Sequence, residues 1–243
     1  MAWKKVDMEQ DPRNGQFAYF RAMENPWAGV TVPVDITAFH KALNGRPFFL
    51  SFLYAVVRAA NDVPELRRRL KDGQVIQYDR CQPSYTAMRS NGVYVYCLVD
   101  SGTLPYEDFV QEGKRKQQAA LEKDELKETG DPLNHFFVSC LPWLPYTQIQ
   151  HPCVSADDSN PRLSWGKFTE ENGKVMLPVS LMFNHALAEE SGLNVPALLE
   201  VKNTGEGWAL VIEAVEGKTM AQLMAEQPEN LEALMAQFVE IQS

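Results

Sequence analysis

The spacing of apolar positions changes along this chain, and the changes mark its elements. In residues 174–184, Val175, Leu177, Val179, Leu181 and Phe183 share one face, while Met176, Ser180 and Met182 share the other. That pattern predicts a strand buried on both sides, inside a sheet. Residues 30–35 alternate and are β-branched, which predicts a second strand, and Pro33 assigns it to an edge or a bulge. Asp35 or Thr37 can cap a short helix ending near Gly45. Residues 48–61 read as an apolar helix buried nearly all round, and residues 66–70 as a short basic helical turn. Residues 74–78, 84–88, 92–99, 136–141 and 163–168 read as strands, and 105–126 as a charged helix solvated on one side. Residues 208–214 read as a strand, and 231–241 as a helix with one apolar stripe. Strands interleaved with a few helices predict an α/β or α+β fold with a mixed sheet.

Composition sharpens this picture. The 243 residues are 45% hydrophobic and 10% aromatic, enough for a sizeable core. The net charge of −9 offers no basic field for nucleic acid. No apolar run approaches the roughly 20 residues of a membrane span. The first residues lack an apolar signal core, so a cytoplasmic protein is expected. Cys81, Cys97, Cys140 and Cys153 show no CxxC spacing, and reduced structural thiols are expected. His40, His135, His151 and His185 have no ligand spacing, so no metal is expected.

The charge is unevenly spread. Residues 187–243 hold ten acidic and two basic residues, against 22 acidic and 21 basic in the rest. Of 25 aromatic residues, only Trp208 and Phe238 follow residue 186. These shifts place a boundary near residue 187.

His185 is the strongest candidate for chemistry. It directly follows the strand of residues 174–184. A histidine held there is rigid and partly desolvated, which disfavours the imidazolium, and a neutral ring can take a proton from a hydroxyl or thiol. Ser139, at a strand end before Cys140-Leu141-Pro142-Trp143, could stabilise an oxyanion. Residues 162–168, with the polar Ser164 and the aromatic Trp165 and Phe168, suit a strand that lines a ligand.

Together these stretches resemble the chloramphenicol acetyltransferase family over residues 1–188. The resemblance rests on Trp3-Lys4-Lys5-Val6-Asp7, Arg13 with residues 17–21, residues 32–37, the helix of residues 52–61, Glu65-Leu66-Arg67, and Tyr78-Asp79 with Pro83-Ser84-Tyr85-Thr86. It continues in residues 139–143, Gly166-Lys167-Phe168, and Leu177-Pro178-Val179-Ser180 leading to His185-Ala186-Leu187. It implies a two-layer α/β sandwich with a mixed sheet, and a homotrimer with active sites between subunits. It also implies acetyl transfer from acetyl-CoA to a hydroxyl of chloramphenicol or a similar small molecule, an antibiotic-resistance activity. By position it makes His185 the general base and Ser139 the oxyanion donor. Trp143 and Phe168 then line the coenzyme channel, Ser164 lies near a bound water, and Phe20 belongs to the acceptor pocket. Arg13 pairs with the aspartate of the motif HxxxDG.

The chain departs from that motif: Glu189 and Glu190 replace the aspartate and glycine, and Asn184 stands where the family often has another histidine. Glutamate is one methylene longer, and Glu190 cannot take a positive φ without strain. These changes raise the alternative of an inactive, recombined relic that keeps a ligand pocket. The acidic extension, residues 189–243, includes Trp208-Ala209-Leu210-Val211-Ile212 and Glu216-Gly217-Lys218-Thr219. It resembles a hinge fragment of aminoglycoside phosphotransferase-type kinases, without the catalytic parts of a kinase.

Overall fold

The computed structural model describes residues 2–9, 14–99, 104–122 and 130–187, and the backbone alone of 198–203 and 208–212. In chain order the elements are β1 (Trp3–Lys5), α1 (Asn14–Arg21), β2 (Trp27–Asp35), α2 (Thr37–Ala42), α3 (Phe48–Asp62), β3 (Arg68–Lys71), β4 (Gln74–Tyr78), β5 (Gln82–Met88), β6 (Tyr94–Leu98), α4 (Tyr106–Leu121), β7 (His135–Cys140), β8 (Arg162–Trp165), β9 (Thr169–Glu171), β10 (Lys174–Asn184), β11 (Leu198–Asn203) and β12 (Trp208–Ile212). The large sheet runs β2-β10-β8-β7-β5-β6, with β9 also on β10. β7 is parallel to β5 and β8, and the other pairings are antiparallel, so the sheet is mixed.

One face of this sheet carries α2, α3 and α4. Phe49 and Phe52 of α3 lie against Trp165, at ring-centroid distances of 5.6 and 5.0 Å. Leu53, Val57, Phe136, Val138, Leu163 and Leu177 complete the core. This is the expected two-layer α/β sandwich. α3 stops because Pro64 forces Val63 into an extended conformation (φ −92°, ψ 105°). Among the described residues β2 pairs only with β10, so Pro33 sits on an edge strand. It faces Pro178 across the pair, one residue past the last β8 partner, Val179 opposite Trp165. The cap expected from Asp35 or Thr37 is not formed: Ile36 stands at the N-cap of α2 without a side-chain cap bond, and Asp35 Oδ1 instead accepts locally from the Thr37 N–H (3.0 Å) and hydroxyl (2.6 Å).

Several local expectations are corrected. Residues 68–70 are not helical: a 3-10 turn, Pro64–Arg67, leads straight into β3. The cause is the turn that follows. Asp72 and Gly73, at φ 50° and 75°, close a two-residue hairpin to β4. Asn172 and Gly173 repeat that device between β9 and β10. The strand expected over 163–168 ends at Trp165, and the helix expected over 105–126 is observed as Tyr106–Leu121. The expected strand at 208–214 is β12, paired with β11, while the helix expected over 231–241 lies outside the described residues. Among the described residues, no helix is long and apolar enough to cross a membrane.

Candidate active site

Strand register lines up hydroxyls on the face opposite the helices. Ser139 of β7 pairs with Ser164 of β8, Ser164 with Ser180 of β10, and Ser180 with Thr31 of β2. Paired residues share a face, so the four hydroxyls form one transverse row. Thr31 Oγ1 and Ser180 Oγ are 2.6 Å apart, and Ser180 also reaches the Tyr146 hydroxyl at 3.4 Å. Ser139 is half-buried, while Ser164 and Ser180 are fully buried.

The C-terminal ends of β7 and β8 gather two more expected residues. Trp143 lies in the loop after β7, 62% exposed. That loop is seated on the segment after β8: Lys167 N–H donates to the Leu144 carbonyl at 2.9 Å. Gly166 makes the contact possible, since a Cβ there would stand 2.6 Å from the Leu144 oxygen and 2.8 Å from the Tyr146 ring. Phe168 packs on Phe48 and His40, at 5.7 and 5.0 Å between centroids.

His185 sits at the opposite end of the sheet. It begins a helical turn after β10, half-buried, its N–H donating to the Pro26 carbonyl at 2.6 Å. The Phe20 ring lies 4.1 Å from its imidazole, centroid to centroid. Asn184 braces this turn: its amide donates to the carbonyls of Ala156 (3.0 Å) and Asp158 (3.1 Å), and its Oδ1 accepts from Ala186 N–H (3.2 Å). The Asp158 carboxylate grips the Arg162 guanidinium, both buried, and Arg162 lies 4.4 Å from the Trp27 ring. Arg21 pairs with Asp157 next door.

One chain therefore does not bring His185 and Ser139 together. His185 lies five residues beyond Ser180 on β10, and Ser139 is two strands from Ser180 in the hydroxyl row. At about 3.3 Å per residue and about 4.8 Å per strand, their Cα atoms stand roughly 19 Å apart. Ser139, Ser164, Trp143 and Phe168 share one region, and His185 and Phe20 the other. Arg13 and Glu189 lie outside the described residues.

Sequence reasoning missed His151. Its Nε2 lies 3.0 Å from Ser164 Oγ, and its N–H donates to the Met182 sulfur at 3.2 Å. Burial, and then the nearby Arg162 charge, hold its pKa below the ordinary histidine value. It stands in the aperiodic, proline-interrupted segment of residues 141–161, where no spacing signals a site. Burial also raises the thiol of Cys140, beside Ser139, to about 11, so this cysteine is a poor nucleophile.

The fold is a helix-backed mixed sheet with a hydroxyl row on its far face, and comparison with known proteins gives its family. The family profile "Chloramphenicol acetyltransferase" matches residues 1–199, past the expected boundary at 188, and the chain belongs to that family. Chloramphenicol acetyltransferase 2 of Escherichia coli is 28% identical over 194 residues, covering 78% of this chain and 91% of that protein. A chloramphenicol acetyltransferase of Klebsiella sp is 27% identical over 207 residues, covering 84% and 94%. A solved chloramphenicol acetyltransferase superposes with a TM-score of 0.65 at 27% identity, covering 78% of this chain and 96% of its own. The dihydrolipoamide acetyltransferase of Azotobacter vinelandii shares the fold, with a TM-score of 0.53 at 18% identity over 76% of this chain and 84% of its own.

Proposed function

We propose that this acyltransferase moves an acetyl group from acetyl-CoA to a hydroxyl of chloramphenicol or a similar small alcohol, at a site formed between two copies of the chain. The observation that carries this reading is the separation of His185 from Ser139. Residues some 19 Å apart on one sheet cannot share a tetrahedral intermediate. A neighbour that sets its Ser139 end against the His185 end completes the pair. Such a contact joins unlike surfaces, and repeated copies close into a ring. Three copies is the number the family resemblance implies. Apolar side chains await cover: Val30 and Val32 on edge strand β2, and Trp143 and Val154 on the loop after β7.

In this reading His185 takes the proton of the acceptor hydroxyl as the oxygen attacks the thioester carbonyl. The Ser139 hydroxyl donates to the oxyanion that forms. Collapse expels the CoA thiolate, which recovers the proton from the His185 imidazolium, and leaves the acetyl ester. Trp143 and Phe168 lie at the Ser139 end, where they serve the coenzyme. Phe20 fixes the plane of His185 and borders the acceptor, and Ser164 holds the neighbouring hydrogen bonds. Arg13 and Glu189 form the remaining support. The reaction belongs to the cytoplasm, which supplies acetyl-CoA. We assign residues 1–188 to the transferase body and 189–243 to an acidic extension. The altered motif at Glu189-Glu190 favours a second reading, an inactive relic.

Thiol release from acetyl-CoA, with chloramphenicol and an acceptor panel, separates the two readings. The intersubunit site has its own test, in which His185→Ala and Ser139→Ala chains are co-expressed. Random mixing into closed rings restores about one quarter of the wild-type sites, because one interface in four pairs an intact His185 with an intact Ser139. Activity no higher than that of either variant alone would place both groups in one chain.

A further inference from the structure

An open cleft of about 480 Å³ lies beside the hydroxyl row, lined by Glu24, Asn25, Trp27, Gln150, His151 and Cys153 among others. His151 joins this cleft to the row. Its Nε2 is engaged with Ser164 Oγ at 3.0 Å, and Ser164 is the cross-strand partner of Ser139. Its Nδ1 bonds no protein group among the described residues. Burial and the Arg162 charge keep the ring neutral, so its two nitrogens are one donor and one acceptor. Whichever way the Ser164 hydrogen points, the other nitrogen remains to serve a ligand. Glu24, Asn25, Gln150 and Ser155 add polar groups to the wall, while Trp27, Pro152 and Ala156 supply its apolar part.

We propose that His151 is a specificity-determining residue of the acceptor site, using its second ring nitrogen to hydrogen-bond a polar group of the acceptor other than the hydroxyl that is acylated. The chemical class selected is a small polyfunctional alcohol or amido alcohol rather than a simple apolar alcohol. This rests on the reading that acceptors are acetylated beside Ser139. A site built around such a bond rejects a ligand that lacks the group, because the ring nitrogen is then left without a partner.

The test compares chloramphenicol, which has two hydroxyls and an amide, with 4-nitrobenzyl alcohol, which has one hydroxyl and no amide. Each is assayed by thiol release, and chloramphenicol binding is measured separately by calorimetry without acetyl-CoA. His151→Leu is expected to raise the chloramphenicol KM and Kd about tenfold while kcat changes under threefold. His151→Gln keeps an amide that can reach Ser164 and the cleft, and it should recover most of that loss. The KM for 4-nitrobenzyl alcohol should shift less than about threefold in His151→Leu. Equal shifts for both acceptors, or a fall in kcat at constant KM, would overturn the assignment. Binding that depends on His151 without any turnover would sink the acetyl-transfer reading and leave this one standing. Turnover that ignores His151 would do the reverse, and wild-type protein that does not bind chloramphenicol would overturn both.

Discussion

At the Ser139 end of the large sheet, side chains take their places from strand register. At the His185 end they take them from a web of side-chain bonds. The hydroxyl row of Ser139, Ser164, Ser180 and Thr31 follows once four strands are paired. His185 depends on Asn184, on the carbonyls of Ala156 and Asp158, and on the Asp158–Arg162 pair beneath them. The contrast teaches where damage travels. A lost hydroxyl in the row removes one bond, whereas a lost brace near His185 leaves a buried charge and an untethered turn.

The largest expected effect breaks the chemistry at each end separately. His185→Ala should lower kcat by roughly 10²- to 10⁴-fold, the usual worth of a general base, with the folded state retained by circular dichroism. Ser139→Ala should lower kcat by about 10²- to 10³-fold with little change in acceptor KM, because an oxyanion donor acts in the transition state. Unchanged turnover in the histidine variant would reduce His185 to a structural residue. A penalty confined to KM would strip Ser139 of the oxyanion role.

Stability should separate the two ends next. Asp158→Ala leaves the Arg162 guanidinium buried without its carboxylate, a loss of about 3–5 kcal/mol in chemical denaturation. Thr31→Val removes one hydrogen bond from a row whose Ser180 still reaches Tyr146, a loss of about 1 kcal/mol. Replacing both members, as in Asp158→Leu with Arg162→Leu, should recover part of the first loss. Similar costs for Asp158→Ala and Thr31→Val would erase the distinction between register and brace.

The strands were legible where alternation was strong. β10 shows its two apolar faces in residues 174–184, and Pro33 alone placed β2 at an edge. β3 was hidden because Arg68 to Lys71 carries three charges in four positions, and only Asp72-Gly73 marks it as half of a hairpin. α1 was missed too: none of its residues is buried, so it lacks the apolar stripe that periodicity detects. For the site, local pattern named Ser139 and His185 as candidates but could not say that they stand at opposite ends. That depends on β7 running parallel to β8 and antiparallel β10 reversing the direction, a matter of register between partners 25 residues apart in the first pair, as Ser139 and Ser164, and 16 apart at Ser164 and Ser180 in the second. A parallel β7–β8 pair also obliges the chain to travel back along the sheet between them. Residues 141–161 make that return over the hydroxyl face, which is how an aperiodic loop brings His151 to Ser164.

That returning loop gives the smallest and most selective test, since His151 belongs to neither end but couples both. Its pKa is lowered from 6.5, first by burial and then by Arg162. Glu24 and the Cys153 thiol line the same cleft, the thiol donating to the His151 carbonyl, and Asp158 is bonded to Arg162. The folded ring resists a proton that the unfolded chain accepts readily, so the unfolded state binds more protons as pH falls below 6.5. The neutral ring's contribution is whole above that value and is lost as pH falls through the lowered folded pKa. Protonation would also take from Nε2 its capacity to accept from Ser164. Denaturation midpoints measured between about pH 7.5 and pH 5 avoid most carboxylate titration and should fall for the wild type. In His151→Gln the fall should be shallower, since an amide keeps a hydrogen bond at every pH in that window. A parallel decline in the two proteins would mean that the acid sensitivity arises elsewhere, and that His151 is not the titrating link between the hydroxyl row and the braced end.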